Sequence, residues 1–452
     1  MVLFDQHIRR AITAIYLILY IQHTSAFRIL SKRDNLNSGT SSTGCPFAKL
    51  GNQANSGIDT ANDILGPIFS SVAEPLLTHG EQIRPEPGFY YQEPNITANP
   101  PDQRGVCPGL NLLANYGYLP RNGIVTLAQV LEATSRGFNM GTDLALVLAA
   151  TTIFTSGNIL TETFSIGGPD LRVGIGNVGG LDRHNTVECD ISPNREDYYT
   201  GKCDNHHLSS RIFKQNVKCA EQQCGLFNLD AMTQQYSQNA DYSKTNNPYL
   251  FYSIPSLLVS VGAHIFYSYL FSNGTYEFGG TPDYTSISNI VGAKLVTTNN
   301  DYDFEYVPER WPEINNSAGK PWYRRGIEFD FAAFLAIVPL VYAANPVFLN
   351  FAQIGTSNLT PQTIACDFYN TILQFTPAYY GQALEDSFNV TTWIIAKLDP
   401  VFSQTIFGCP AASFSNNGGN CPSNQNANKT NNSTCFAKTN QYYKVYFPTA
   451  SK

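Results

Sequence analysis

Charge is scarce in this 452-residue chain: Asp, Glu, Lys and Arg make up 14% of it, and the formal net charge is -7. No stretch gathers Lys and Arg into a basic block, which excludes the electrostatic footprint of nucleic-acid binding. Long uninterrupted apolar runs are missing too. The run at 11–21 is too short for a comfortable membrane span. The run at 329–349 is broken by Asp330, Pro339 and Asn345, and it reads as a buried helix ending near Pro339 followed by a second segment. No internal repeat is apparent.

What is abundant is apolar and aromatic. The chain is 43% hydrophobic, with 28 Phe and 26 Tyr, enough for a sizeable core and suited to a large apolar cavity. The N-terminus reads as a secretory signal. Arg9 and Arg10 precede the apolar run, and Thr24, Ser25 and Ala26 offer a small-residue cleavage site after Ala26. Lys32-Arg33 is a possible second, dibasic processing site. Secretion fits the Asn-x-Ser/Thr sequons at Asn95, Asn273, Asn315, Asn358, Asn389, Asn428, Asn431 and Asn432. It also fits ten cysteines, which point to disulfides.

Apolar periodicity predicts helices over 127–138 and 142–154, the second buried all round. Shorter helices are expected over 211–219 and 229–238, and another buried helix over 255–272. Residues 27–85, rich in Ser, Gly and Asn with one helical patch at 58–77, read as a loosely packed leader. Residues 296–325 carry Pro308, Pro312 and Pro321 and read as a long polar loop. Residues 411–441 read as a flexible tail. The pattern as a whole predicts one all-α domain with long connections.

The most informative stretch is 104–123, RGVCPGLNLLANYGYLPRNG. Pro108 suits the first position of a helix, Leu110, Leu113 and Ala114 continue it, and Gly117 can stop it. Cys107 then sits at the positive end of the helix, where free amides favour thiolate over thiol. Such a group serves as a nucleophile, half of a disulfide, or an axial ligand to haem iron. The tract resembles the haem-binding segment of the haem-thiolate peroxidases, the fungal chloroperoxidase and unspecific peroxygenase family. That resemblance implies haem b, with Cys107 as the iron ligand. Cys45-Pro46 carries no such tract. With Cys107 set aside, nine cysteines remain, so at least one is a free thiol or an intermolecular link.

A second constellation lies at 180–197. Glu188, Asp190 and Ser192 offer the hard oxygen donors that Mg2+ takes, and Glu188 and Ser192 are four residues apart. The resemblance extends here, since family members carry Glu-x-Asp-x-Ser followed by Arg, after Gly-Leu and a His. It implies a magnesium ion at Glu188, Asp190 and Ser192 beside a haem propionate, with Arg195 and His184 on the matching positions. Cys189 replaces the Gly or His of the family.

Peroxide chemistry also needs a distal acid–base, a Glu in this family. On the stretch 247–275 the Glu position holds Ala263 and the position of its Arg partner holds Ser256. His264, one residue further and so turned by about 100°, is the candidate acid–base in its place. Ile254, Leu257, Leu258, Val261, Ile265 and Phe266 are candidates for an apolar access route. Pro321-Trp322-Tyr323-Arg324-Arg325 resembles the aromatic-Arg-Arg segment of the family. Cys366 and the Gly-Cys-Pro at Cys409 match cysteines that pair in longer members, which implies a Cys366–Cys409 disulfide. Cys421–Cys435 is a candidate tail bridge, with one more among Cys203, Cys219 and Cys224.

The residues give a signal peptide at 1–26, a leader at 27–87 and a tail at 411–452, and the resemblance implies a haem-thiolate peroxidase domain at 88–410. The expected protein is secreted, spans no membrane once mature, and uses hydrogen peroxide to oxidise or oxygenate a small apolar or aromatic organic substrate, or a halide. The alternative is a haem-binding relative that has lost the distal acid–base and serves a non-catalytic binding role. A third reading has Cys107 as a structural thiol in a protein without haem.

Overall fold

A computed structural model describes residues 80–174, 179–298, 301–312, 321–349, 359–374, 390–403 and 407–409. The expected signal, most of the leader, the helical patch at 58–77, Cys45, the tail and Cys421–Cys435 lie outside these residues. The chain opens with strand β1 (Gln82–Arg84) and reaches helix α1 (Pro108–Tyr116) through an extended segment. Strand β2 (Ile124–Thr126) leads directly into α2 (Leu127–Phe138), and α3 (Thr142–Ser156) and β3 (Thr163–Ser165) follow. After a long irregular stretch come α4 (Ser210–Glu221), α5 (Leu229–Asn246), α6 (Ile254–Tyr269) and α7 (Tyr284–Ile290). The rest is β4 (Ala293–Thr298), β5 (Asp301–Tyr306), β6 (Trp322–Arg324), α8 (Phe331–Tyr342), α9 (Pro361–Gln374) and α10 (Val390–Phe402). The described part is an all-α fold with three two-stranded ribbons.

Local chemistry sets the helix boundaries. Pro108 stands in the first turn of α1, with extended Cys107 ahead of it, and Gly117 closes the helix at φ 81°, a left-handed value that favours glycine. Helix α2 starts with a reciprocal capping box between Thr126 and Gln129. Asp330 caps α8 through the Ala333 amide. Helix α6 is the hub, packed by α5, α8 and α9, while α3 packs against α2 and α10. Leu112, Leu113, Ile153, Phe154, Leu257 and Val261 are fully buried. Each such side chain contributes about 1.5–3 kcal/mol relative to exposure.

Four expectations need adjustment. Residues ahead of 88 belong to the packed unit: β1 pairs antiparallel with β6, Gln82 opposite Arg324. Buried Arg84 donates through Nε to the Arg136 carbonyl at 2.7 Å. The expected loop at 296–325 contains a hairpin, since β4 pairs with β5 from Ala293↔Tyr306 to Thr298↔Asp301. Its alternation of Leu295, Tyr302 and Phe304 with charged residues has the two-residue period of a strand. Pro339 lies inside α8 rather than ending it, eight residues past the first and so beyond the capped first turn. Ile254, Leu257, Leu258, Val261 and Ile265 are ordinary core, and of that stripe only Phe266 is half-buried, its ring centroid 5.8 Å from that of Phe334.

Cys366 and Cys409 form a disulfide. Cys203 and Cys219 are free thiols, so neither pairs with Cys224, which is itself disulfide-bonded. Among the described residues no helix is long and apolar enough to cross a membrane.

Candidate active site

Cys107 is a free, half-buried thiol just ahead of α1. Burial pushes it above the usual thiol range, opposed by the amides of Leu110 and Gly109 and by the charge of Arg195. The sequence argument for a thiolate thus identified the amides, while the interior position works against them.

The extended segment entering Cys107 is clamped from two sides. Asp182 Oδ1 accepts the Val106 amide at 2.7 Å. Gly105 passes so close that a Cβ there would lie 2.1 Å from the same oxygen and 2.5 Å from the Ile166 carbonyl oxygen. On the other side Asn111 accepts the Gly105 amide at 3.0 Å and donates to the Gly105 carbonyl at 2.8 Å. Asn111 donates also to Glu309 Oε1 at 2.9 Å. Glu309, fully buried, takes the Tyr306 hydroxyl at 2.9 Å and Arg195 Nη2 at 3.3 Å. Arg195 Nε reaches the Val106 carbonyl at 3.4 Å. Burial raises Asp182 to about 7, and Glu309 is likewise raised by burial against the pull of Arg195.

The second constellation adjoins the first. The Ser192 hydroxyl accepts the amide of Arg195 at 3.3 Å, which turns the chain toward Val106. Asn239 on α5 donates to the Ser192 carbonyl at 2.9 Å, and Ser260 on α6 to the Ile191 carbonyl at 2.7 Å. Behind this turn, His184 Nδ1 meets Glu188 Oε2 at 2.8 Å. Asp190 accepts Asn247 Nδ2 at 2.9 Å, and the same amide donates to Asp197 at 3.0 Å. Burial lowers His184, but Asp190, Glu188 and Asp197 outweigh it and bring the ring to about 8. Asp190 is driven well up by burial and then by Asp197. Cys189, also buried, donates to the Ser256 carbonyl at 3.4 Å.

His264 has partners of its own on α6 and α5. Its Nδ1 donates to the Ser260 carbonyl at 2.7 Å, which makes Nδ1 the protonated nitrogen. Its ring lies edge-on to Tyr236, with centroids 5.4 Å apart. Burial pulls it down to about 4. Its Nε2 is buried and has no hydrogen-bond partner among the described residues, and the same is true of Arg195 Nη1. Ala263, on the neighbouring face, is half-buried.

The structure therefore brings Cys107 and Arg195 together, sets Glu188, Asp190 and Ser192 on the adjoining turn, and keeps His264 among other partners. Asp182, Glu309 and Asn111 were not assigned a role from sequence. Asn111 alone left a signal, a polar residue inside the apolar run Leu110-Asn111-Leu112-Leu113.

Comparison with known proteins follows the same residues. The sequence model of the family described as Peroxidase, family 2 matches residues 89–327. The chain is 33% identical over 181 residues to an aromatic peroxygenase of Coprinellus radians, covering 39% of this chain and 69% of the relative. An aromatic peroxygenase of Cyclocybe aegerita is 33% identical over 187 residues, with 40% and 50% covered. A dothistromin biosynthesis peroxidase of Dothistroma septosporum is 29% identical over 286 residues, with 61% and 63% covered.

Proposed function

The chain belongs to the haem-thiolate peroxidase family, Peroxidase, family 2, and from that membership we propose a secreted enzyme that uses hydrogen peroxide to oxidise or oxygenate small apolar or aromatic organic substrates. Halide oxidation is part of the proposal. The observation that carries it is Cys107, a free thiol at a helix start, with its entering segment held on both sides. Haem b, ligated by Cys107, would supply peroxide-activating iron whose reactivity the thiolate raises.

The donor chemistry fits such a group. Arg195 Nη1 is a buried cationic donor beside Cys107 with no hydrogen-bond partner among the described residues, which suits a carboxylate such as a haem propionate. The amides of Gly109 and Leu110, together with Arg195, favour the thiolate once a metal replaces the proton. Asp182, Asn111 and Glu309 hold Cys107 in place. His264, neutral with Nδ1 protonated, offers Nε2 as a proton acceptor on the interior face of α6. We propose it as the acid–base.

Magnesium at Glu188, Asp190 and Ser192 rests on crowded carboxyls: Glu188, Asp190 and Asp197 are buried around one imidazole, and burial with Asp197 drives Asp190 up, so a divalent cation would take the place of the Asp190 proton. Each of the three residues is already hydrogen-bonded within the protein, so the ion is assigned no step.

A second reading, haem binding without turnover, is favoured by Ala263 in the acid position and by the interior direction of His264. Peroxide-dependent oxidation of a phenolic dye by the purified protein separates the two. Turnover lost in Cys107→Ala supports the enzyme, whereas a haem-loaded wild type without turnover supports the binding protein.

A further inference from the structure

Beyond the haem-thiolate reading, the loop after Cys203 gathers three metal-binding side chains at the surface. Asp204 and His207 are exposed and His206 is half-buried. Asp204 Oδ1 lies 3.6 Å from His206 Nδ1 and 3.1 Å from His207 Nδ1. One donor atom from each residue lies within 4.8 Å of the others, and among the described residues this is the one trio of His, Cys, Asp or Glu with that property. Donors about 2.0–2.1 Å from a tetrahedral ion stand about 3.3 Å apart, and the two separations bracket that value.

The loop is also anchored. Buried Asn205, between the ligand residues, donates to the Asp182 carbonyl at 3.1 Å. The His207 ring meets the Tyr306 ring, with centroids 5.7 Å apart. A fixed backbone lowers the ordering cost of binding. Arg195, whose charge acts on His206, is paired with Glu309, so its field at the loop is reduced.

We propose that Asp204, His206 and His207 form a surface site for a divalent transition metal of the zinc or copper class. Two imidazoles and a carboxylate suit those ions better than Mg2+ or Ca2+, which prefer all-oxygen cages. Exposure leaves the fourth position to water. The site lies outside the Glu188–Asp190–Ser192 group and requires no haem.

The test is calorimetric titration of the purified full chain, stripped with chelator, with Zn2+ near neutral pH. Wild type binds one Zn2+ per chain at this site, and a large excess of Mg2+ does not compete. His206→Ala and His207→Ala each weaken binding by at least about tenfold, since loss even of an outer-shell partner costs that much, and the double variant abolishes it. Cu2+ in place of Zn2+ gives an electron paramagnetic resonance spectrum with coupling to two imidazole nitrogens. The near-surface positions leave the fold intact, which circular dichroism checks. Absence of stoichiometric Zn2+ binding by wild type, equal affinity in the double variant, or displacement by Mg2+ would each overturn the proposal.

Discussion

Arg195 and Glu309 meet 3.3 Å apart with both side chains fully buried, although 114 residues separate them in sequence. Through Asn111 on one side and Val106 on the other, this pair fixes the segment that delivers Cys107. Breaking a buried pair from one side leaves an uncompensated charge and costs about 3–5 kcal/mol. Glu309→Ala is therefore expected to lower the urea-unfolding free energy by about that amount. A loss below about 1 kcal/mol would mean that the pair is not held as described.

Gly105 has no room for a methyl group. The Ile166 carbonyl at 2.5 Å is backbone and cannot swing aside as a side chain would. Gly105→Ala should destabilise by about 1–3 kcal/mol, the usual cost of overpacking. It should also lower the haem-to-protein ratio of the purified protein, because the displaced segment carries Cys107. Unchanged stability together with an unchanged haem ratio would contradict the clamp.

Asp143, Glu328 and Asp330 are brought together where α3 and α8 begin. Burial raises Asp143 to about 6, with Asp330 adding to it, and burial raises Glu328 to about 7, with Asp143 and Asp330 adding. Arg325 partly opposes the rise at Asp330. A carboxyl whose folded pKa lies above its unfolded value binds its proton more tightly when folded. Its contribution is complete below the unfolded value and is lost as pH rises through the folded one. The melting temperature should therefore fall between about pH 4.5 and pH 8, and fall less in Glu328→Gln. A variant with the wild-type slope would show that the cluster does not titrate in this window.

How much of this was legible beforehand depended on range. The start of α1 at Pro108, its stop at Gly117 and the span of α2 followed from residues within a turn of one another. Glu309 did not, because its partner Asn111 is 198 residues away and nothing local marks it. The hairpin at 293–306 was masked by the prolines that follow it, which set the composition of the segment without interrupting its strands. His264 was found as a residue type, but its direction toward Tyr236 is set by packing of α5 on α6, which a single sequence does not state.

If His264 Nε2 acts as the acid–base, His264→Gln should slow peroxide-driven oxidation by about 10²-fold or more, the span of general acid–base catalysis, with haem content unchanged. Ala263→Glu should restore part of the rate in that background. A His264→Gln protein with wild-type turnover would remove the histidine from the reaction.

The central claim is that Cys107 binds haem iron as a thiolate. The ferrous carbon monoxide spectrum of the purified protein, in wild type and in Cys107→Ala, tests it most directly. The account predicts a red-shifted, thiolate-type Soret band in wild type that disappears in the variant. A protein without haem, or a spectrum indifferent to Cys107, would contradict it.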